Sequence, residues 1–161
     1  MRPERQSRSF WAPHRQHRPI RSETISVDGG EIRYENYTVY DSVLSYSINS
    51  WNALGRIPIR LDTWSTVSDL QIGDVRDPAA GWDAYWSPRV GADQINFNRS
   101  HMDGYTDWQR KSVATHELGH ALGLADHYST YIYDVMWGYT DSRKASVPYT
   151  HDKATYYSLW G

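Results

Sequence analysis

His116-Glu117-Leu118-Gly119-His120 constrains this chain more than any other stretch. Two histidines four apart lie on one helix face, one turn above the other. Two neutral imidazoles so placed can hold one Zn²⁺ at about 2.0–2.1 Å each, and the Glu between them is placed to take a proton from a bound water. The run continues through Ala121, Leu122 and Gly123 to Asp126 and His127. Gly123 can adopt the left-handed conformation that ends a helix, so the chain can double back and bring Asp126 or His127 to the metal. Three protein ligands leave the fourth position open, which is the pattern of a catalytic zinc centre, not a structural one.

The surroundings agree. Thr106-Asp107-Trp108-Gln109 reads as a capping box that starts a helix, and no proline follows before Leu122. The histidines then sit deep in a helix of about four turns, with Val113, Ala121 and Leu122 on its buried side.

At 161 residues the chain can bury a core without help from metal or disulfides. It has no cysteine, which excludes a disulfide framework and a thiolate zinc site. A net charge of −2 is too mild to imply a nucleic-acid or membrane partner, and no apolar run approaches spanning length. The chain is expected to be a monomer. Residues 1–22 carry six Arg against one Glu. Residues 1–27 read as a disordered basic arm or the remnant of a pro-segment, without the apolar stretch of a signal peptide. Residues 28–161 read as one domain. The 8 Trp and 13 Tyr, against 2 Phe, suit burial of large rings that keep a polar handle.

Along the domain, Glu31 to Tyr40 alternates as a strand. Leu44, Ile48 and Trp51 mark an amphipathic helix that starts at Asp41 or Ser42 and ends at Gly55. Ile57–Trp64, Asp69–Val75 and Asp93–Asn98 read as strands. Residues 76–91, rich in Asp, Pro and Gly, read as a long loop. Thr150–Trp160 reads as a last helix with Ala154, Tyr157, Leu159 and Trp160 as its apolar residues. The order β-α-β-β-β-α-loop-α predicts an α+β domain, with the zinc helix under the sheet.

Other residues carry separate expectations. Ile95, Asn96 and Phe97 are candidates to bind an extended substrate by strand addition. Tyr128 and Tyr139 are candidates for a phenol at a developing oxyanion. Asp74, Asp77 and Asp83 are candidates for Ca²⁺, although their spacing matches no EF-hand loop. His14, His17, His101 and His151 read as surface residues.

His116, Glu117, His120 and Gly123, followed by Met136, resemble the extended zinc signature and Met-turn of the metzincins. Asp126 stands where most of that group has a third His. The variant H-E-x-x-H-x-x-G-x-x-D is similar to the snapalysins, small bacterial secreted metalloendopeptidases. Asp126-His127-Tyr128-Ser129 and the terminal Leu159-Trp160 extend the likeness, which runs from about Gln94 to Trp160. Two departures stand out: snapalysins carry a disulfide, and the stretch before Met136 is differently composed.

The resemblance implies a metzincin-like domain: a twisted, mostly parallel sheet with an antiparallel edge strand, a zinc helix and a C-terminal helix. It implies a zinc endopeptidase acting on polypeptides through zinc-bound water activated by Glu117. The ligands would be His116, His120 and Asp126, with Met136 as a soft floor beneath them. It also implies secretion and a preference for a large aromatic residue after the scissile bond. The competing expectation is a catalytically restrained zinc-binding domain, or a protease-like effector with one protein partner. Glu117 argues against a domain that has lost catalysis, because that residue has no ligand role to preserve, while the sequence does not separate such an effector from a general protease.

Overall fold

The structure, a computed structural model, describes residues 25–128 and 132–161. In chain order it holds strand β1 (Ile32–Asn36), helix α1 (Asp41–Asn52) and strands β2 (Ile59–Leu61), β3 (Leu70–Val75), β4 (Ala84–Ser87) and β5 (Asp93–Asn98). A short helix α2 (Arg99–Met102), the long helix α3 (Asp107–Ala121) and the C-terminal helix α4 (Thr150–Trp160) complete it. The strands form one sheet in the order β2-β1-β3-β5-β4. Every neighbouring pair is parallel except β4 with β5. This is the expected α+β architecture, with its antiparallel strand at one edge.

Alternation in β3 and β5 sets the sheet's buried face. Leu70, Ile72, Ile95 and Phe97 are fully buried, and Ile72 lies in register with Ile95. Gln71, Gln94 and Asn96 fall between them and are only partly covered. A parallel connection needs a crossover, and α1 supplies the one between β1 and β2. Leu44, Ile48 and Trp51 on α1 enter the core. Trp51 also donates its indole N–H to the Thr115 carbonyl at 2.8 Å, and the Thr115 hydroxyl meets Ser47 at 2.9 Å. These polar contacts fix the height of α3 against α1 one residue before His116.

Three expectations are corrected. Residues 76–91 are not all loop, because β4 lies inside them; four residues between Asp83 and Pro88 are too few to display a period. Strand β5, which carries Ile95, Asn96 and Phe97, is bonded on both sides, to β3 and β4. Its backbone groups are consumed within the sheet, so a substrate strand cannot add to it. Helix α4 has the predicted bounds, and Tyr156 is its buried anchor, with Tyr157 and Leu159 more exposed. The Tyr156 hydroxyl accepts the Ile57 N–H at 2.7 Å, so the ring is held at both ends. Ser26 is buried and bonded to Ala121 and Asp93, so the packed domain includes residues before Asp28. The rest of the predicted arm, with His14 and His17, lies outside the described residues.

Gly119 ties the core to the turn at Met136. A glycine inside a helix costs about 1 kcal/mol relative to alanine. Here a Cβ would stand 2.3 Å from Met136 Sδ and 3.0 Å from Trp51 Cζ2. We predict that Gly119→Ala lowers stability by about 1–3 kcal/mol despite its better helix propensity, because the added methyl meets both Met136 and the rigid Trp51 ring, each buried in the core. A thermal melt of the metal-free protein checks this, and a raised Tm would contradict it.

Candidate metal centre

Helix α3 starts at the predicted box: Gln109 N–H donates to Thr106 Oγ1 at 3.2 Å and Thr106 N–H to Gln109 Oε1 at 2.9 Å. It runs 15 residues and ends as Gly123 takes φ +91°. Gly123 N–H then donates to the His120 carbonyl and Leu124 N–H to the Gly119 carbonyl, both at 2.9 Å. This paired closure is a Schellman motif, and it needs a residue at ease in the left-handed region.

Behind the turn the chain pairs with the segment around Met136. His127 N–H donates to the Met136 carbonyl and Gly138 N–H to the His127 carbonyl, both at 3.1 Å. Neighbouring side chains on extended backbone point to opposite sides. Asp126 therefore faces the helix and His127 faces away. Asp126 Oδ1 lies 3.0 Å from His116 Nε2 and 3.4 Å from His120 Nε2. The two Nε2 atoms are 3.1 Å apart. His127 Nε2 instead lies 3.4 Å from Asp134 Oδ2.

The donor chemistry fits a cation. His116 Nδ1 meets the Val135 carbonyl at 2.8 Å, and His120 Nδ1 meets the Leu124 carbonyl at 2.9 Å. A carbonyl only accepts, so each Nδ1 carries a proton and each neutral ring turns its Nε2 lone pair inward. Asp126 Oδ1 is buried and receives no hydrogen bond. Three lone-pair atoms thus face one point. A tetrahedral zinc with bonds of about 2.0 Å has ligand atoms about 3.3 Å apart, close to the separations found.

Charge follows the same logic. Burial pushes His116 down to about 4, with Arg143 adding to the effect. Burial also works against a charged His120, but the Asp126 carboxylate and Glu117 lift it to about 8. Burial works to raise Asp126, yet the two histidines beside it hold it well below the usual carboxylate range. In the metal-free protein a proton on His120 supplies the positive charge that a metal would bring. Burial lifts Glu117 to about 7, while His120 and Arg143 pull the other way.

Glu117 points into the same cavity as the histidines. Gly81, Asp83 and Ala84, from β4 and the residues before it, form one wall; Gly138, Thr140 and Arg143 form another. The backbone of Trp86 in β4 also works to lower the Glu117 carboxyl. The edge strand, not β5, therefore borders the cleft.

Several residues here carried no sequence signal or a different one. Arg143 is buried and donates to the carbonyls of Trp137 and Ser112 at 2.8 and 3.4 Å. Burial lowers it only to about 10, so it stays cationic. Asp152, in the first turn of α4, is buried and accepts the N–H groups of Val135 at 2.7 Å, Met136 at 3.1 Å and Tyr149 at 2.8 Å. It pins the turn whose Val135 carbonyl orients His116, and an acidic residue in a helix's first turn was its only trace in the sequence. Met136 is buried against Gly119.

The tyrosines and aspartates are placed otherwise. Tyr128 donates its hydroxyl to Asp126 Oδ2 at 3.2 Å, and its ring fills the space beside Gly138. Tyr139 packs edge-on against Tyr128, and neither ring lines the cavity. Asp74 accepts from Thr38 and Val39, Asp77 from Ala79 and Ala80, and Asp83 from Tyr105 and His101. The three aspartates do not converge, and the calcium expectation has no support. His101 is thus bonded to a buried carboxylate, and His151 lies 3.5 Å from Asp134, so neither is a plain surface residue.

No protein-family model matches the chain, and no curated protein matches it in sequence. Solved structures do match in shape. The ECX AB5 holotoxin in its GM1-bound form is similar at a TM-score of 0.59 and 11% identity, over 81% of this chain and 80% of that one. Myroilysin is similar at a TM-score of 0.59 and 14% identity, over 86% of each chain. Archaemetzincin from Archaeoglobus fulgidus, complexed with malonate, reaches a TM-score of 0.45 at 15% identity, over 78% of this chain and 99% of that one. At that last score the likeness carries no weight, and the first two show a shared fold.

This geometry makes two predictions. Asp126→Ala should lose zinc from the His116–His120 pair, while His127→Ala should keep it there. Anomalous scattering at the zinc edge locates the ion, and an ion bonded to His127 with Asp126 turned away would reverse the assignment. Asp152→Asn should cost about 1.5–3 kcal/mol, since it removes charge-assisted bonds from buried N–H groups. Chemical denaturation of the metal-free protein measures it, and an unchanged midpoint would count against the anchor.

Proposed function

We propose that this chain is a zinc-dependent endopeptidase that hydrolyses peptide bonds of protein substrates. One observation carries the reading: three buried lone-pair donors, from His116, His120 and Asp126, converge beside a buried carboxylate on the same cavity. A zinc ion bound by those residues supplies Lewis acidity, acidifying water to a pKa of about 7 and polarising the scissile carbonyl.

The protein's own groups do the rest. Glu117, ionised beside a cation, accepts the proton of the attacking water and returns it to the departing amine. Arg143 adds positive potential that favours the ionised form of Glu117. Tyr128 holds the second oxygen of Asp126 and so orients the third ligand, a role that replaces the oxyanion contact expected of it. Among the described residues β4 is paired only with β5. An extended substrate adds to its other edge, where backbone groups give affinity without demanding a sequence. The finer reading is a snapalysin-like secreted monomer with a preference for a large aromatic residue after the scissile bond, supported by the Asp126 variant of the motif.

Casein hydrolysis by wild type and Glu117→Gln, with zinc content measured on the same samples, tests the proposal. The variant should keep its zinc and lose turnover by ~10²–10⁴-fold, the usual contribution of a general base. A chelator should abolish wild-type activity, and zinc should restore it. Full turnover by Glu117→Gln would sink this mechanism.

A further inference from the structure

A second group of metal-type donors lies behind the first. His127 Nε2 and His151 Nδ1 approach the same oxygen, Asp134 Oδ2, at 3.4 and 3.5 Å. The two imidazole rings stand edge to face with centroids 5.0 Å apart. The residues come from three separate segments: the loop behind Gly123, the turn before Met136 and the first turn of α4. Asp134 is 2% exposed, and its Oδ2 accepts no hydrogen bond.

The distances separate two explanations. A carboxylate held by imidazolium N–H donors closes to about 2.7–2.9 Å. Neither imidazole reaches that close to Asp134. The spacing found is that of neighbouring ligand atoms around a cation with bonds of about 2.0–2.1 Å. Burial also makes a carboxylate oxygen without a donor costly, and a metal ion removes that cost. The His151 side chain is 44% exposed, which leaves an entry path for an ion.

We propose that His127, Asp134 and His151 form a second binding site, for a divalent transition-metal ion such as zinc, distinct from the His116–His120–Asp126 centre. Two imidazoles and one carboxylate suit zinc and its first-row neighbours, whereas calcium and magnesium favour all-oxygen shells. The bound ion acts as a cross-link between segments. It ties the loop that carries Asp126, and the turn that carries Met136, to the start of α4, beside the bonds made by Asp152.

Zinc alone is the probe, with metal analysis after equilibrium dialysis and thermal melts in parallel. Wild type should bind two ions per chain, and His151→Ala and Asp134→Asn one each. His120→Ala should lose the ion at the first centre and keep the second. In that background zinc should still raise the Tm, and adding His151→Ala should abolish the rise. These readouts do not depend on activity, so loss of the peptidase reading would leave them intact. One ion in wild type, two retained in both His151→Ala and Asp134→Asn, or a Tm rise that survives the double variant, would each overturn the proposal.

Discussion

Three buried lone-pair atoms within 3.4 Å of one another repel unless positive charge sits among them. That constraint organises the rest of the molecule. Two of the atoms come from one helix face, which α3 provides by its period alone. The third must be returned from outside the helix, and the Gly123 reversal returns it. Without a residue at ease at φ +91° the helix would have to end differently, and Asp126 would not arrive.

Convergence also has to be held when a proton on His120, not a metal, supplies that charge. The fold does this with backbone groups. The carbonyls of Val135 and Leu124 fix both imidazoles through Nδ1, and each of those carbonyls is itself positioned. Leu124 belongs to the Schellman closure, so one structural event ends the helix, orients His120 and returns Asp126. Val135 belongs to the turn whose N–H groups are held by Asp152. The metal centre therefore depends on α4, a helix that contributes none of its ligands. Outer contacts of this kind govern metal affinity nearly as much as the ligands do.

What the sequence disclosed tracks the range of the interactions. The capping box, the face shared by His116 and His120 and the Gly123 turn are local, so spacing alone reveals them. Leu70–Val75 and Asp93–Asn98 were legible because alternation over six residues has a visible period. The four residues of β4 do not, and their strand character comes from pairing with β5, a tertiary effect. Arg143 and Asp152 were invisible for the same reason. Their partners at Trp137, Ser112, Val135 and Met136 are backbone groups, which leave no mark on residue type. The mistaken role for Ile95–Phe97 came from reading a strand near the zinc helix as an edge, which periodicity cannot tell from an interior strand.

The choice between Asp126 and His127 shows how parity outranks donor strength. Imidazole is a good zinc ligand, and composition alone does not prefer the carboxylate. The bonds between His127 and the Met136–Gly138 segment extend the backbone at that point, and extended backbone sends adjacent side chains apart. Once that pairing is made only one of the two can face α3, and Gly123 sets which. The residue turned away is not left in solvent. It meets Asp134 and His151 on the far side, so a single dipeptide contributes donors to both clusters. A shift of one residue in this pairing would exchange the two side chains and dismantle both clusters together, which makes the His127–Met136 register the most sensitive point of the domain.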